Sequence, residues 1–193
     1  MNEYKHDDAG LVARAQEAPS DLRPFEELVR RHESKVLANC RYLTGSPDDA
    51  QDLAQEVFVK AFFALKRFRG ESGFGTWVQR IKVNHCLNFI RKRKGKHHVD
   101  AADPLHEAEE AMQVDPDAEA RVEQRDRKQI IAAALDQVPE TLRLPLVMCD
   151  LDEMPYQEIA DQLGVGLSAI KMRIKRGRES FREAYEGLLE QQP

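Results

Sequence analysis

The sequence predicts an all-α protein in which two small helical domains are joined by a flexible acidic linker, and the second domain contains a helix-turn-helix. Apolar residues recur at helical intervals along almost all of the chain, where strands would alternate, and Gly- and Pro-containing breaks separate these stretches. Residues 95–126 carry ten acidic residues against three Lys or Arg and lack a sustained apolar stripe. A chain of 193 residues with 41% hydrophobic content is long enough for two small cores.

The first predicted domain spans residues 1–94. Breaks at residues 44–47 (Thr-Gly-Ser-Pro) and 69–73 (Arg-Gly-Glu-Ser-Gly) divide it into helices. Each helix carries an apolar stripe that we expect to face the core. The stripes are Phe25, Leu28, Val29, Val36 and Leu37; then Ala50, Leu53, Val57, Ala61 and Leu65; then Trp77, Ile81, Leu87 and Ile90. The acidic linker, residues 95–126, follows.

The second predicted domain spans residues 127–193. One helix begins at Arg127 and stops at Pro139, and a second contains Leu146, Val147 and Leu151. Residues 155–185 then predict a helix-turn-helix. Its first helix places Ile159, Ala160 and Leu163 on one face, and Gly164-Val165-Gly166 forms the turn.

The second helix of this motif is predicted to dock on double-stranded DNA. At about 100° per residue, Ile170, Ile174, Gly177 and Phe181 share its buried side. The early residues of the outward side would reach base edges in a major groove, and the later cations would hold phosphates. The outward side presents Ser168, Met172, Lys175 and Arg176, and it is flanked by Lys171, Arg178 and Arg182. The alternative interpretation is that this basic side of the helix is simply exposed to solvent.

The net charge of -5 argues at first sight against a nucleic-acid partner, because binding to phosphates depends on positive charge. The distribution of charge reverses that inference. Residues 74–96 contain seven basic residues and no acidic one, and a second basic cluster lies within residues 171–182. The acidic residues are concentrated elsewhere, so two helices retain the charge that nucleic acid requires.

Other classes of protein are disfavoured by what the sequence lacks. The first ten residues do not resemble a secretory signal, and no segment approaches the ~20 apolar residues of a membrane span. We therefore expect a cytoplasmic protein without membrane insertion. Cys40, Cys86 and Cys149 are widely spaced and form no C-x-x-C pair, so we expect reduced packing residues rather than disulfides or a zinc site.

An acidic patch surrounds one predicted helix of the first domain. It consists of Asp48, Asp49, Asp52 and Glu56, with Gln55 within it and no base nearby along the helix. Carboxylates at this spacing suit an arginine-rich helix or a metal ion, or they form a solvated face. Because no His or Gly-rich phosphate loop lies nearby in the sequence, a metal site is the weakest of these interpretations.

Aromatic and amide side chains are interleaved with the cations of residues 74–96. This mixture suits single-stranded nucleic acid, whose bases stack on rings while phosphates meet positive charge. The alternative is that Trp77 and Phe89 are core residues, and for Trp77 we favour the core. The interleaved side chains are Phe74, Trp77, Asn84, His85, Asn88 and Phe89.

These residues resemble a known family. The run D-A-Q-D-L-A-Q-E-V-F-V-K-A at 49–61, followed by F-G-T-W-V-Q-R-I-K-V-N at 74–84, is similar to region 2 of extracytoplasmic-function (ECF) sigma factors of bacterial RNA polymerase, including sigma-E. The runs Y-Q-E-I-A at 156–160 and S-A-I-K-M-R at 168–173 resemble region 4. Together they cover roughly residues 10–94 and 127–185 in the family's order.

The resemblance implies roles for the first domain. In this family the D-L-x-Q-E helix docks on a coiled coil of the β′ subunit of core RNA polymerase, and the motif matches Asp52, Gln55 and Glu56. These three residues and the neighbouring Asp49 are the candidate docking residues. The basic helix and residues 66–73 would open the promoter -10 element and hold a flipped base in the melted strand. The candidates for that work are Lys66, Arg69, Arg80, Asn84, Asn88, Arg91 and Arg93.

The resemblance also assigns the remaining parts. The helix-turn-helix would read the -35 element as duplex DNA, and the linker would pass through polymerase channels built for nucleic acid or act as an ordinary tether. The expected polymerase partners are the β′ and β subunits. An anti-sigma factor is an expected partner. No catalytic residue, metal or cofactor is implied, because the polymerase supplies the active site.

Two other functions are compatible with parts of the sequence. A polymerase-independent helix-turn-helix regulator would bind a palindromic site as a dimer. A metal-dependent nuclease would use Asp49, Asp52 and Glu56 and would need a divalent metal ion. The sigma-factor hypothesis alone accounts for both halves of the chain.

Overall fold

The computed structural model of the protein describes residues 7–96 and 118–190. All regular structure in these ranges is helical, as predicted. The chain divides into two compact units, Met1–Arg93 and Lys94–Pro193. We describe each unit by itself.

The first unit is built from four helices. Gly45 ends the second with a left-handed backbone (φ 74°), and the Ser46 side chain caps the third by accepting a hydrogen bond from the Asp49 backbone. The predicted stripe from Ala50 to Leu65 is buried throughout, as are Phe25, Leu28 and Val36. The helices are α1 (Asp8–Glu17), α2 (Arg23–Thr44), α3 (Pro47–Leu65) and α4 (Phe74–Lys96).

The burial of three side chains differs from the sequence expectation. Leu37 is 42% exposed, because it lines an open groove between α2 and α3 that it shares with Gln51 and Gln55. Lys82 is fully buried, so it adds nothing to the basic surface of α4. Trp77, for which we favoured the core, is half-buried against Phe68, with ring centroids 4.7 Å apart.

The second unit contains the helix-turn-helix at the predicted place. Gly164 adopts a left-handed conformation (φ 65°) that ends α7, and Gly166 precedes α8. Ile170, Ile174 and Gly177 of α8 are buried as expected, and Phe181 is half-buried. The helices are α5 (Ala118–Gln137), α6 (Glu140–Asp150), α7 (Tyr156–Leu163) and α8 (Leu167–Leu189).

Gly177 allows α8 to pack closely on α6. A Cβ atom at this position would lie 3.0 Å from the Leu142 carbonyl oxygen and 3.3 Å from the Leu146 Cβ. Any larger residue would therefore separate the two helices. This contact fixes which side of α8 remains outside.

The helices extend further into residues 95–126 than the sequence indicated. α4 continues to Lys96, and α5 begins at Ala118 rather than at Arg127. The physical reason is that residues 118–126 are mainly Ala, Glu, Arg and Gln, which favour helix whether or not an apolar stripe is present. The rest of the predicted linker, residues 97–117, lies outside the described residues.

Two further expectations concern membranes and cysteines. Within residues 7–96 and 118–190, no helix is long and apolar enough to cross a bilayer. All three cysteines are free. Cys40 and Cys86 are buried with their sulfur atoms 3.7 Å apart, where they join α2 to α4. Burial raises the pKa of the half-buried Cys149 thiol above its ordinary value.

Candidate nucleic-acid and protein interfaces

The acidic patch lies on the outer side of α3, and we call it the acidic face. Asp48, Asp52, Gln55 and Glu56 are exposed, while Asp49 is half-buried. The side chains at 52, 55 and 56 project together because α-helical residues three and four apart are neighbours. The opposite side of α3 packs in the core, so these three groups are presented at a fixed place on the unit.

Two bases of α4 approach the acidic face, which corrects our expectation that no base lies near it. His85 Nε2 is 2.7 Å from Glu56 Oε2, and Arg93 Nη1 is 3.4 Å from Asp49 Oδ2. The sequence could not show this proximity because the partners lie 29 and 44 positions apart and meet only when α4 packs beside α3. A groove of about 620 Å³ separates the two helices there.

The exposed side of α4 carries four of the predicted -10 residues in one polar stripe. Arg80, Asn84, Asn88 and Arg91 are all exposed, and their spacings of four, four and three place them along one face of the helix. Arg91 donates a hydrogen bond to the Asn88 side chain at 3.3 Å. Arg93 is not part of this stripe, because it turns toward α3 and also donates to the Thr44 carbonyl at 3.3 Å.

A depression of about 300 Å³ lies between the end of α3 and the start of α4. Three exposed cations, Arg67, Arg69 and Arg80, contribute to its wall together with the exposed Glu71. Trp77 and Phe68 contribute rings. Lys66, the other predicted residue of this segment, is exposed at the end of α3. Guanidinium groups beside rings are suited to a base and its phosphate. The depression is continuous with the polar stripe through Arg80.

The outward side of α8 has the composition predicted for duplex DNA. Ser168, Lys171, Lys175 and Arg176 are exposed, and Met172 is 50% exposed at the centre of the same side. Gly166 is the N-cap of α8 and the exposed Leu167 is its first residue, so Ser168 lies in the first turn of the helix. A helix that presents its first turns to a major groove has this arrangement.

Arg178 is exposed but already paired. Its Nη2 lies 2.6 Å from Asp150 Oδ1 and its Nε lies 2.9 Å from Asp150 Oδ2, which is a bidentate ion pair between α8 and the end of α6. These hydrogen bonds lower the pKa of Asp150 and raise the pKa of Arg178. Among residues 7–96 and 118–190, Arg178 therefore differs from Arg176, two residues earlier, in having a carboxylate partner for its charge.

Two residues of the depression are not among the individual candidates predicted from the sequence. Arg67 and Phe68 line it, and they belong to the predicted segment 66–73, but nothing in their local pattern distinguishes them from other loop residues. The position of Phe68 only one residue before Arg69 is the one signal that could have included it. His85 was grouped with the nucleic-acid residues but lies against Glu56.

The carboxylates that a nuclease would use do not form a ligand set. Asp49 faces Arg93 and Glu56 faces His85. Within the described parts of the chain, no group of three His, Cys, Asp or Glu side chains is arranged to hold a metal ion. Two carboxylates of the acidic face thus already lie beside bases of α4.

Comparison with known proteins identifies related domains in both units. Residues 28–96 match the family model of sigma-70 region 2, and residues 128–181 match that of sigma-70 region 4. The chain is 33% identical to the ECF RNA polymerase sigma factor SigE of Mycolicibacterium smegmatis, over 82% of this chain and 60% of that relative. It thus spans less than two thirds of that protein. It is also 33% identical to the RNA polymerase sigma-H factor of Pseudomonas aeruginosa, over 94% of this chain and 95% of the relative.

Solved structures have a similar fold. The sigma factor RpoE of Bartonella quintana, solved in complex with the anti-sigma factor NepR, matches with a TM-score of 0.57 and 20% identity. The match covers 84% of this chain and 96% of that one. At 20% identity this similarity shows a shared fold and no more than that.

Proposed function

The chain belongs to the ECF family of RNA polymerase sigma factors, and from this membership we propose how its surfaces divide the work of transcription initiation. The first unit would hold core polymerase and open the -10 element, and the second would read the -35 element. The -10 contact would then lie before residues 97–117 in the sequence, and the -35 contact after them. The observation that carries this proposal is the exposed cluster of Asp52, Gln55 and Glu56 on α3.

The acidic face is the proposed docking site for core polymerase. Its partner would be a basic coiled coil of the β′ subunit, which supplies the arginine-rich helix that an acidic cluster needs. Asp52 and Gln55 are exposed, and the Glu56 side chain retains 60% exposure beside His85. Asp49 would contribute less, because Arg93 already lies beside it.

The depression and the polar stripe are the proposed -10 apparatus. Extracting a base from a duplex costs a few kcal/mol, and stacking together with charge contacts repays it. The depression lined by Arg69, Trp77 and Arg80 offers both kinds of contact. Asn84 and Asn88 would continue along the same strand with amide donors and acceptors, and Arg91 with charge.

The outward side of α8 is the proposed reader of the -35 duplex. Ser168 and Lys171 reach base edges at the start of the helix, and Lys175 and Arg176 hold phosphates. Met172 offers an apolar contact at the centre, so part of the selectivity comes from DNA shape. Arg178 would serve mainly to fix α8 on α6 through Asp150.

Regulation and location follow from the same membership. The likeness to the sigma factor RpoE, solved in complex with the anti-sigma factor NepR, supports an anti-sigma protein as a partner of this chain. A cytoplasmic location follows because RNA polymerase is there. The chain would contribute binding and DNA opening, and the polymerase the chemistry, so it would not be an enzyme itself.

A reconstituted transcription assay tests the proposal. Purified chain and core RNA polymerase are mixed with fragmented genomic DNA, transcripts are mapped, and permanganate footprinting locates unpaired thymines. We expect discrete start sites with reactive thymines at the -10 position that depend on the added chain. Absence of both specific transcripts and opening would refute the proposed function.

A charge-reversal pair tests the docking face. Asp52→Arg with Glu56→Arg should reduce affinity for core polymerase by at least tenfold and leave the helical circular dichroism unchanged, because both residues are exposed. Glu186→Arg with Glu190→Arg is the matched control, since it makes the same change of charge at the same four-residue spacing at the end of α8, where Glu190 is the C-cap. Asp52→Arg alone leaves the Glu56–His85 contact in place. The assignment would be contradicted if the Asp52→Arg/Glu56→Arg and Asp52→Arg variants both bound core polymerase as tightly as the control.

A further inference from the structure

Helix α1 precedes the region 2 match, which begins at residue 28, yet it contacts the segment that carries the depression. Gln16, near the end of α1, donates its side-chain amide hydrogens to the carbonyl oxygens of Leu65 at 2.8 Å and Phe68 at 2.9 Å. Both contacts are partly buried and join positions 49 and 52 residues apart. The Gln16 amide has two hydrogens, so its donor capacity is filled by these two carbonyls.

The two carbonyls stand at the place where α3 ends and residues 66–73 begin. Leu65 closes α3, so its oxygen lacks a helical partner of the usual kind. It also accepts from the Phe68 backbone N–H at 3.0 Å, which forms a tight turn. Gln16 therefore fixes the turn that sets the direction of Phe68, whose ring lies against Trp77 and lines the depression.

The other end of the same segment is also held by α1, through His32 of α2. Asp8 Oδ2 lies 2.7 Å from His32 Nε2, and Arg31 donates to Asp8 Oδ1 at 3.1 Å. A Cβ on Gly75 would lie 2.9 Å from the His32 ring, so this ring rests directly on the first turn of α4. Residues 66–73 thus run between two anchored ends.

We propose that Gln16 is a positioning residue for promoter opening: it holds the turn at Leu65 and Phe68 so that the depression is preformed before a base arrives. This inference rests on the -10 role proposed above. Preformed sites bind more tightly because no free energy of binding is lost in ordering the segment. Gln16 touches neither the acidic face nor the polar stripe in this arrangement, so its loss should affect base capture and leave polymerase docking in place.

The test compares Gln16→Glu with the parent in reconstituted holoenzyme. Glutamate has the same shape but has no hydrogen to donate when ionised, so it meets both carbonyls with negative charge. The matched control is Gln129→Glu at an exposed position of α5. Binding of a single-stranded oligonucleotide carrying the non-template -10 strand is measured by fluorescence anisotropy, and opening of the mapped promoters is measured by permanganate reactivity. Affinity for core polymerase is measured separately.

We expect Gln16→Glu to weaken oligonucleotide binding and slow opening by about three- to thirtyfold, as the loss of one or two hydrogen bonds implies, while core affinity changes less than twofold. Gln16→Met, which removes the donors without adding charge, should have a smaller effect in the same direction. Parental oligonucleotide binding in the Gln16 variants would overturn the proposal while leaving the proposed function intact. An equal loss of core affinity would also overturn it, because it would show a general loss of folding. Failure of the parent to open any promoter would refute the proposed function itself.

Discussion

The salt dependence of DNA binding should separate Arg176 from Arg178, although both are exposed arginines two positions apart on α8. Arg178 is held by Asp150 at 2.6 and 2.9 Å, whereas Arg176 stands on the outward side. Each cation that neutralises a phosphate contributes about 0.9 to the slope of log affinity against log salt. We therefore expect Arg176→Ala to reduce the magnitude of that slope by about 0.9.

The same relation gives the size of the effect. One phosphate contact of this kind raises the affinity for DNA about eightfold more at 0.1 M salt than at 1 M salt. The ratio of the parent's affinity to that of Arg176→Ala should therefore fall about 3.5-fold when the salt concentration is raised from 50 to 200 mM. Removing Arg178 and Asp150 together, as alanines, leaves the net charge unchanged. Because that pair is exposed, its loss should cost stability only about 0.2–1 kcal/mol and should change the slope by less than about 0.3.

Fluorescence anisotropy with holoenzyme and a labelled duplex containing the upstream half of a mapped promoter provides the measurement. Slopes are compared between the parent, Arg176→Ala and the Asp150→Ala/Arg178→Ala variant from 50 to 300 mM salt. Thermal unfolding of each variant checks that the second unit is folded. If deletion of the pair lowers the slope as much as Arg176→Ala, then Arg178 leaves Asp150 to bind phosphate, and our reading of the ion pair is wrong.

Two predictions concern stability. Gly177→Ala should destabilise α8 by about 1 kcal/mol, because overpacking against Leu142 outweighs the gain in helix propensity, whereas Gly187→Ala, with open space around its Cβ, should stabilise it by about 0.5–1 kcal/mol. Hydrogen exchange of α8 amides measures both, and equal protection in the two variants would contradict the packing argument. Hydrogen bonds from Arg30 and Arg31 lower the pKa of Glu27 from 4.5 to about 2, so their stabilisation is complete above pH 4.5 and is lost as the pH falls toward 2. The Tm of the parent should therefore exceed that of Glu27→Gln at pH 6, and a difference that persists unchanged at pH 2 would contradict this.

The sequence by itself determined the elements of this protein and the general character of their faces. The apolar stripe of α3 and the buried side of α8 follow from helical periodicity, and the turn at Gly164 follows from the backbone freedom of glycine. Periodicity and backbone freedom each depend on neighbours within a few residues. The acidic face and the basic side of α8 could be predicted for the same reason, because the inward side of each helix fixes the outward side. Four short runs of residues, two on α3 and α4 and two on α7 and α8, were enough to place the chain in its family.

Only the tertiary structure decided which polar groups on those faces already have partners. Arg91 and Arg93 are two positions apart on α4, yet one lies on the polar stripe and the other beside Asp49. Gln16 gave no signal in the sequence, because its meaning depends on carbonyls about fifty residues away. The physical reason is that helical periodicity is set by contacts between neighbours, whereas pairing between helices depends on where distant segments cross.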